Sequence, residues 1–278
     1  MTLDDILAQG KRLWLDYSEY AGALLAGGSV PWLDVSELVA WQRKAQGLLQ
    51  SDVLELPIGE VGNAWLQAHP ALLDAMRSKN RPVFPLKTLL ADAALRAHLL
   101  EIARGLRASF ARLPLALVCP SPKRWALDAY RAAFGDDGAG AADFGADETE
   151  DASAYLADFL RSFGDVGVDI LLLQESVDSE PEDAAGLEAY RPVLNVAAHY
   201  RWEIGLAAPG GRYRGDAADF GFVIAPQVAN GRRSGRMVPS DFWSGAAASD
   251  CPENGFRYAR VPGDAKPETV LQRLAALR

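Results

Sequence analysis

Three residues suited to chemistry stand where short apolar runs end. Glu175 closes the run Val168–Glu175, His199 follows Val193–Ala198, and Cys119 closes Leu115–Cys119. A carboxylate at a half-buried strand end can act as a general base, a metal ligand or a substrate clamp, and burial or a cationic neighbour tunes it. It can equally serve as the structural partner of an arginine. His199 is one of three histidines, and an imidazole suits proton transfer near neutral pH or metal ligation. His69 precedes Pro70 in an expected loop and His98 lies in a helical pattern, so both read as structural. Cys119 reads as a small buried hydrophobe rather than a nucleophile, although Lys123 and Arg124 follow it.

The segment His199-Tyr200-Arg201-Trp202-Glu203 gathers a cation, aromatics and an acid. Arg201 has the fork geometry to hold a carboxylate in bidentate fashion. Trp202 offers a wall for an apolar substrate, or simply opens the next strand. Gln174 stands beside Glu175 and joins Arg201 and Trp202 as a substrate-binding candidate. Arg212, Arg214, Arg232, Arg233 and Arg236 add positive charge to the following loops.

Such residues need elements to present them. Short apolar runs alternate with amphipathic stretches, the rhythm of βα units. Expected strands are Val53–Pro57, Arg81–Leu86, Leu115–Cys119, Val168–Glu175, Val193–Ala198, Trp202–Ala207 and Phe220–Ala225. Several are continuously apolar, as buried parallel strands are. Helical spacing runs from Leu89 to Phe110, from Tyr155 to Phe163, and from Val270 to Leu277 behind Pro267. Asp136 to Asp151 is acidic and rich in Gly and Ala, and reads as a solvated loop. A chain of 278 residues suits one α/β barrel with catalytic groups at the strand carboxyl ends. The expectation is therefore a single (β/α)8 TIM-type barrel over residues 1–278.

Composition narrows the partners. A formal charge of −9 argues against a nucleic-acid binder, which normally carries a basic face. Two cysteines make no disulfide framework and fit a reducing compartment. Residues 1–16 hold Asp4, Asp5, Lys11 and Arg12 without a long apolar run, and no stretch approaches the ~20 apolar residues needed to cross a bilayer. The expected setting is cytoplasmic, with a small-molecule substrate, no nucleic acid and no membrane; the oligomeric state stays open. Dinucleotide, phosphate-loop, nucleophile-elbow and His-Glu-x-x-His motifs are all missing.

At the strand ends the chain resembles the superfamily of cobalamin-independent methionine synthase and uroporphyrinogen decarboxylase. Leu171-Leu172-Leu173-Gln174-Glu175-Ser176 resembles the strand-end Ile-Gln-Ile-Asp-Glu-Pro of the synthase branch, with Gln174 in place of Asp. His199 resembles the histidine of that branch's His-x-Cys zinc motif, with Arg201 in place of the cysteine. Ala218–Ile224 resembles the strand that supplies a zinc-binding glutamate, with Ile224 at its position. Asp250-Cys251 resembles the late Asp-Cys that carries a thiolate ligand. A thiol-activating zinc site needs about three protein ligands and an open position, and only His199 and Cys251 remain.

The resemblance thus implies the same barrel and a metal-independent enzyme without a cofactor. A lyase or decarboxylase acting on a small carboxylated substrate, aromatic or not, stands first. His199 and Glu175 would be catalytic, and Arg201, Trp202 and Gln174 would bind substrate. The alternatives are a zinc-dependent methyl or alkyl transferase, with His199 and Cys251 among the metal ligands, and a non-catalytic binding barrel.

Overall fold

The computed structural model describes residues 2–141, 144–177, 184–210, 219–228 and 232–278. Eight strands run parallel in one sheet: β1 (Leu13–Asp16), β2 (Leu54–Pro57), β3 (Leu115–Pro120), β4 (Ile170–Gln174), β5 (Glu203–Ala207), β6 (Phe222–Ala225), β7 (Ser234–Met237) and β8 (Gly255–Arg260). Their spatial order is β1-β8-β7-β6-β5-β4-β3-β2, so the sheet curls until β1 and β2 face each other. Together with the surrounding helices this is a (β/α)8 barrel.

Side chains close the β1–β2 seam. The Leu13 N–H donates to Asp52 Oδ2 at 2.9 Å and the Leu15 N–H to Ser51 Oγ at 2.9 Å. The Asp52 N–H reaches the Leu13 carbonyl at 2.9 Å, and Ser51 Oγ donates to the Val53 carbonyl at 2.7 Å. Buried backbone N–H groups need partners, and here Ser51 and Asp52 replace part of a ladder.

Helices line the outside and the strand-start end. In chain order they are α1 (Leu3–Ala8), α2 (Ser18–Leu25), α3 (Val35–Leu49), α4 (Ile58–Ala68), α5 (Pro70–Met76) and α6 (Phe84–Ala91). There follow α7 (Ala93–Ser109), α8 (Pro122–Ala141), α9 (Ala146–Leu160), α10 (Ala184–Glu188), α11 (Arg191–Tyr200) and α12 (Pro267–Leu277). Strand pleating sorts the core into two. Leu117, Cys119, Leu171 and Leu173 point outward to the helices, while Ala116, Val118, Ile170 and Leu172 fill the barrel. Trp14, Phe222, Phe256 and Tyr258 pack inside with them, and the Trp14 and Phe256 rings stack at 5.6 Å. Gly205 and Gly235 make room for this cluster, because an added Cβ would collide with the Phe222 and Phe256 rings respectively.

The strand-start end is plugged. Leu3 and Ile6 of α1 insert into the inner cluster, and the Leu3 N–H donates to Glu203 Oε2 at 3.3 Å. Arg233 pairs with both Glu203 and Asp4. The strand-end mouth is therefore the open one.

Several sequence expectations need correction. Val193–Ala198 is helix: Pro192 sits in the first turn of α11, and Val193, Leu194, Val196 and Ala197 are buried on one face. The β-branched residues that suggested a strand also satisfy helical spacing. Arg81–Leu86 leads into α6, whose first turn contains Pro85. The Leu89–Phe110 pattern divides at Asp92, whose carboxylate caps α7 by accepting from the Leu95 N–H at 2.6 Å. β1, β7 and β8 are strands that apolar runs did not reveal. The acidic stretch 136–151 carries the end of α8 and the start of α9, with Gly135 breaking α8 at φ 79°. Residues 142–143 lie outside the described residues.

Candidate functional site at the barrel mouth

A cavity of about 900 Å³ opens at the strand ends, within the size range of small-molecule sites. β1 presents Asp16, β2 Glu55 and Pro57, β3 Pro120, β4 Gln174 and β8 Arg260. The helices add Glu19 from α2, Glu60 from α4, and Arg124 and Trp125 from α8, while Trp32 lies on the α2–α3 loop. The mouth thus draws on β1, β2, β3, β4 and β8, next to the seam where the ladder is interrupted.

Glu55 is the central group. Leu54 and Leu56 on either side of it face the outer core, so the pleat turns Glu55 into the barrel. Its Oε1 accepts a hydrogen bond from Trp14 Nε1 at 2.6 Å. Tyr258 pairs with Glu55 and with Gln174. Burial, reinforced by the negative charge of Asp16, pushes the Glu55 carboxyl well above the usual carboxylate range. The Tyr258 phenol is driven up by burial and by the charges of Glu55 and Asp16. Asp16 is also raised by burial, against the pull of Arg260. Glu60 follows the same pattern: burial raises it and Asp16 adds to the shift.

The two arginines of the mouth are engaged. Arg260 lies 2.9 Å from Glu19 and 3.7 Å from Asp16. Arg124 lies 3.4 Å from Asp128 and donates to the Glu175 carbonyl at 3.2 Å. Chemically, the arrangement is two carboxyls with unequal surroundings, the arrangement from which an acid and a base role can be drawn. A phenol and an amide extend it inward.

The residues singled out from sequence divide between the two ends of the barrel. Gln174 lines the cavity. Glu175 follows β4 at the mouth end, 7% exposed; its carboxylate accepts from Ser121 Oγ at 2.8 Å and from the Tyr190 hydroxyl at 2.7 Å. That pairing ties the ends of β3 and β4 to the start of α11. His199 is exposed in the last turn of α11, and Arg201 caps that helix at φ 59°. Trp202 is buried in the outer core beside Tyr200, with ring centroids 5.1 Å apart. All three precede β5 and sit at its start, so the structure does not bring them to Glu175. Arg212, Arg214 and Ala218 lie outside the described residues.

Asp16, Glu55, Glu60, Arg260 and Tyr258 did not stand out in the sequence. One signal was present: in Val53-Leu54-Glu55-Leu56-Pro57 the alternation sets Glu55 apart from the leucines, which for a barrel strand means the inner face.

No protein-family model matches the chain, and no curated protein does. Among solved structures, a methyltransferase from Methanosarcina mazei aligns with a TM-score of 0.59 over 95% of this chain and 91% of its own, at 12% identity. The likeness is one of fold. Among the described residues no helix is long and apolar enough to cross a membrane.

The donors for a zinc site do not converge at the mouth. The chain's three histidines and two cysteines are all described, and none lines the cavity. Cys119 faces the outer core, where burial pushes its thiol up. Cys251 precedes β8, its Sγ 3.7 Å from the Gly255 carbonyl. His69 and His98 both pack on Trp65. Among the described residues no group of three or more His, Cys, Asp or Glu is arranged to hold a metal. These residues do not fit a thiolate–imidazole zinc centre.

Proposed function

We propose that this chain is an enzyme of alkyl-group transfer, methyl being the simplest case, working at the barrel mouth with a carboxyl pair that manages the proton. The observation that carries the reading is Glu55: a carboxyl raised by burial and by Asp16, opening on a cavity at the strand ends. Transfer from a donor to a heteroatom acceptor removes a proton from the acceptor and returns one to the departing donor. A carboxyl pair in unequal surroundings, Glu55 held by Trp14 and Asp16 beside Arg260, suits that exchange. Trp14 orients one oxygen of Glu55, and Tyr258 and Gln174 hold the inner side. The fold likeness to a methyltransferase and the remote resemblance to the methionine synthase and decarboxylase superfamily support the choice of reaction. Decarboxylation with Arg201 and His199 finds less support, since neither residue stands at the mouth.

The test is a transfer assay. Purified protein is incubated with isotopically methylated thiols, amines and ethers and matched acceptors, and label movement is read by mass spectrometry. Transfer should fall by about 10²–10⁴-fold in Glu55→Gln. An absence of transfer from every donor, or full transfer by Glu55→Gln, would overturn the reading.

A further inference from the structure

We infer that the molecule admitted to the mouth is an organic cation: an ammonium head seated against Trp32 and the cavity's carboxylates, with a neutral acceptor oxygen for the indole N–H of Trp125. The inference rests on the proposed function only in taking the mouth as the substrate site.

Charge is the first ground. The cavity wall carries Asp16, Glu19, Asp34, Glu37, Glu60 and Asp128 besides Glu55, against Arg124 and Arg260. Besides Glu55, six acidic side chains thus stand in the wall against two guanidinium groups. Both arginines already bind carboxylates within the wall, so an entering anion would compete with Asp128, Asp16 and Glu19. A walled cleft of one sign concentrates ligands of the other.

The aromatic groups are the second, independent ground. Trp32 is held in place from behind: its ring meets Trp41 edge-on at 6.2 Å, and its carbonyl lies 2.8 Å from His98 Nε2. An indole face attracts an alkylated ammonium, and Trp32 lines the same cavity as the carboxylates. Trp125 is 3% exposed and lines the same cavity. Its indole N–H donates to no described residue, and it is not among the nitrogens sealed off from solvent without a partner. The edge of its six-membered ring lies beside Gly62 of α4, the helix that forms the adjoining wall. The N–H thus meets solvent in place of a protein acceptor, and an oxygen of the ligand takes the place of that water here.

The experiment is calorimetric titration of the full chain with three near-isosteric probes: choline, 3,3-dimethyl-1-butanol and 3,3-dimethylbutyrate. Choline should bind at least about tenfold tighter than the neutral alcohol, in line with a desolvated cation–aromatic contact, and the carboxylate should be weakest. Trp32→Phe should weaken choline less than Trp32→Ala does, and neither should change the alcohol. Trp125→Phe should weaken choline and the alcohol alike, because both carry the hydroxyl. Equal or tighter binding of the alcohol or the carboxylate overturns the inference, as does a lack of heat with all three. Choline binding with no alkyl transfer from any donor overturns the proposed function alone. Alkyl transfer confined to neutral substrates, with choline excluded, overturns this inference alone.

Discussion

Trp14 Nε1 donates to Glu55 Oε1 at 2.6 Å across the one pair of neighbouring strands that no backbone ladder joins. The same bond serves two ends. It ties β1 to β2 inside the barrel, and it fixes one oxygen of the carboxyl on which the proposed chemistry depends.

The pH dependence of stability follows from Glu55. Its folded-state pKa lies above the unfolded value, so the folded protein binds the extra proton. Stability is fully present below the unfolded carboxyl pKa and declines as pH rises towards the folded one, by at most about 1.4 kcal/mol per pH unit for one group. Glu55→Gln removes the titration while keeping the shape. Urea midpoints of the native chain and the variant, compared across pH, should therefore diverge in the variant's favour as pH rises. A constant difference would contradict the shift.

Ser51 carries the seam. The residue is 2% exposed, and its hydroxyl accepts from the Leu15 N–H and donates to the Val53 carbonyl. Ser51→Ala strands both groups inside the protein, at a cost of about 1–3 kcal/mol. Denaturant unfolding should register that loss. An unchanged midpoint would mean that water or the backbone takes over.

The Glu175 clamp is testable through Tyr190, which is fully buried and donates to Glu175 Oε1. Tyr190→Phe removes a buried hydrogen bond to a carboxyl oxygen, for a loss of about 1–3 kcal/mol. The binding titrations above should change little in this variant, since neither Tyr190 nor Glu175 lines the cavity. A loss of binding with stability intact would assign Glu175 to the site.

Inside the barrel, Gly205→Ala drives a methyl group into the Phe222 ring. Overpacking of this kind costs about 1–3 kcal/mol, and the melting temperature should fall accordingly. A neutral result would show that the aromatic cluster has room to shift.

The barrel was legible where strands are apolar on both faces. Leu115–Cys119 and Ile170–Leu173 face helices on one side and packed side chains on the other, so their sequences are continuous apolar runs. β1 and β8 were not legible, because their inner faces turn polar towards the mouth: Asp16 and Arg260 interrupt the pattern where the site begins. β7, Ser234–Met237, has a single large apolar residue and is held by its neighbours. His199 was misplaced for a local reason. Val193–Ala198 satisfies strand composition and helix spacing equally, and Pro192 was the signal that decides between them. Of the site candidates read from sequence, Gln174 lines the cavity and Glu175 stands behind it at the mouth end; Glu55 lay inside an expected strand, hidden by the leucines that flank it.

The most direct test of the site is the titration of Glu55 itself. Carbon NMR of the side-chain carboxyls in glutamate-labelled protein, with Glu55→Gln to assign the resonance, reads that one proton. Titration well above the ordinary carboxylate range, moving down when Asp16→Asn removes the neighbouring charge, is the expected result. Titration within the ordinary range would contradict the role given to Glu55 and, with it, the proposed function.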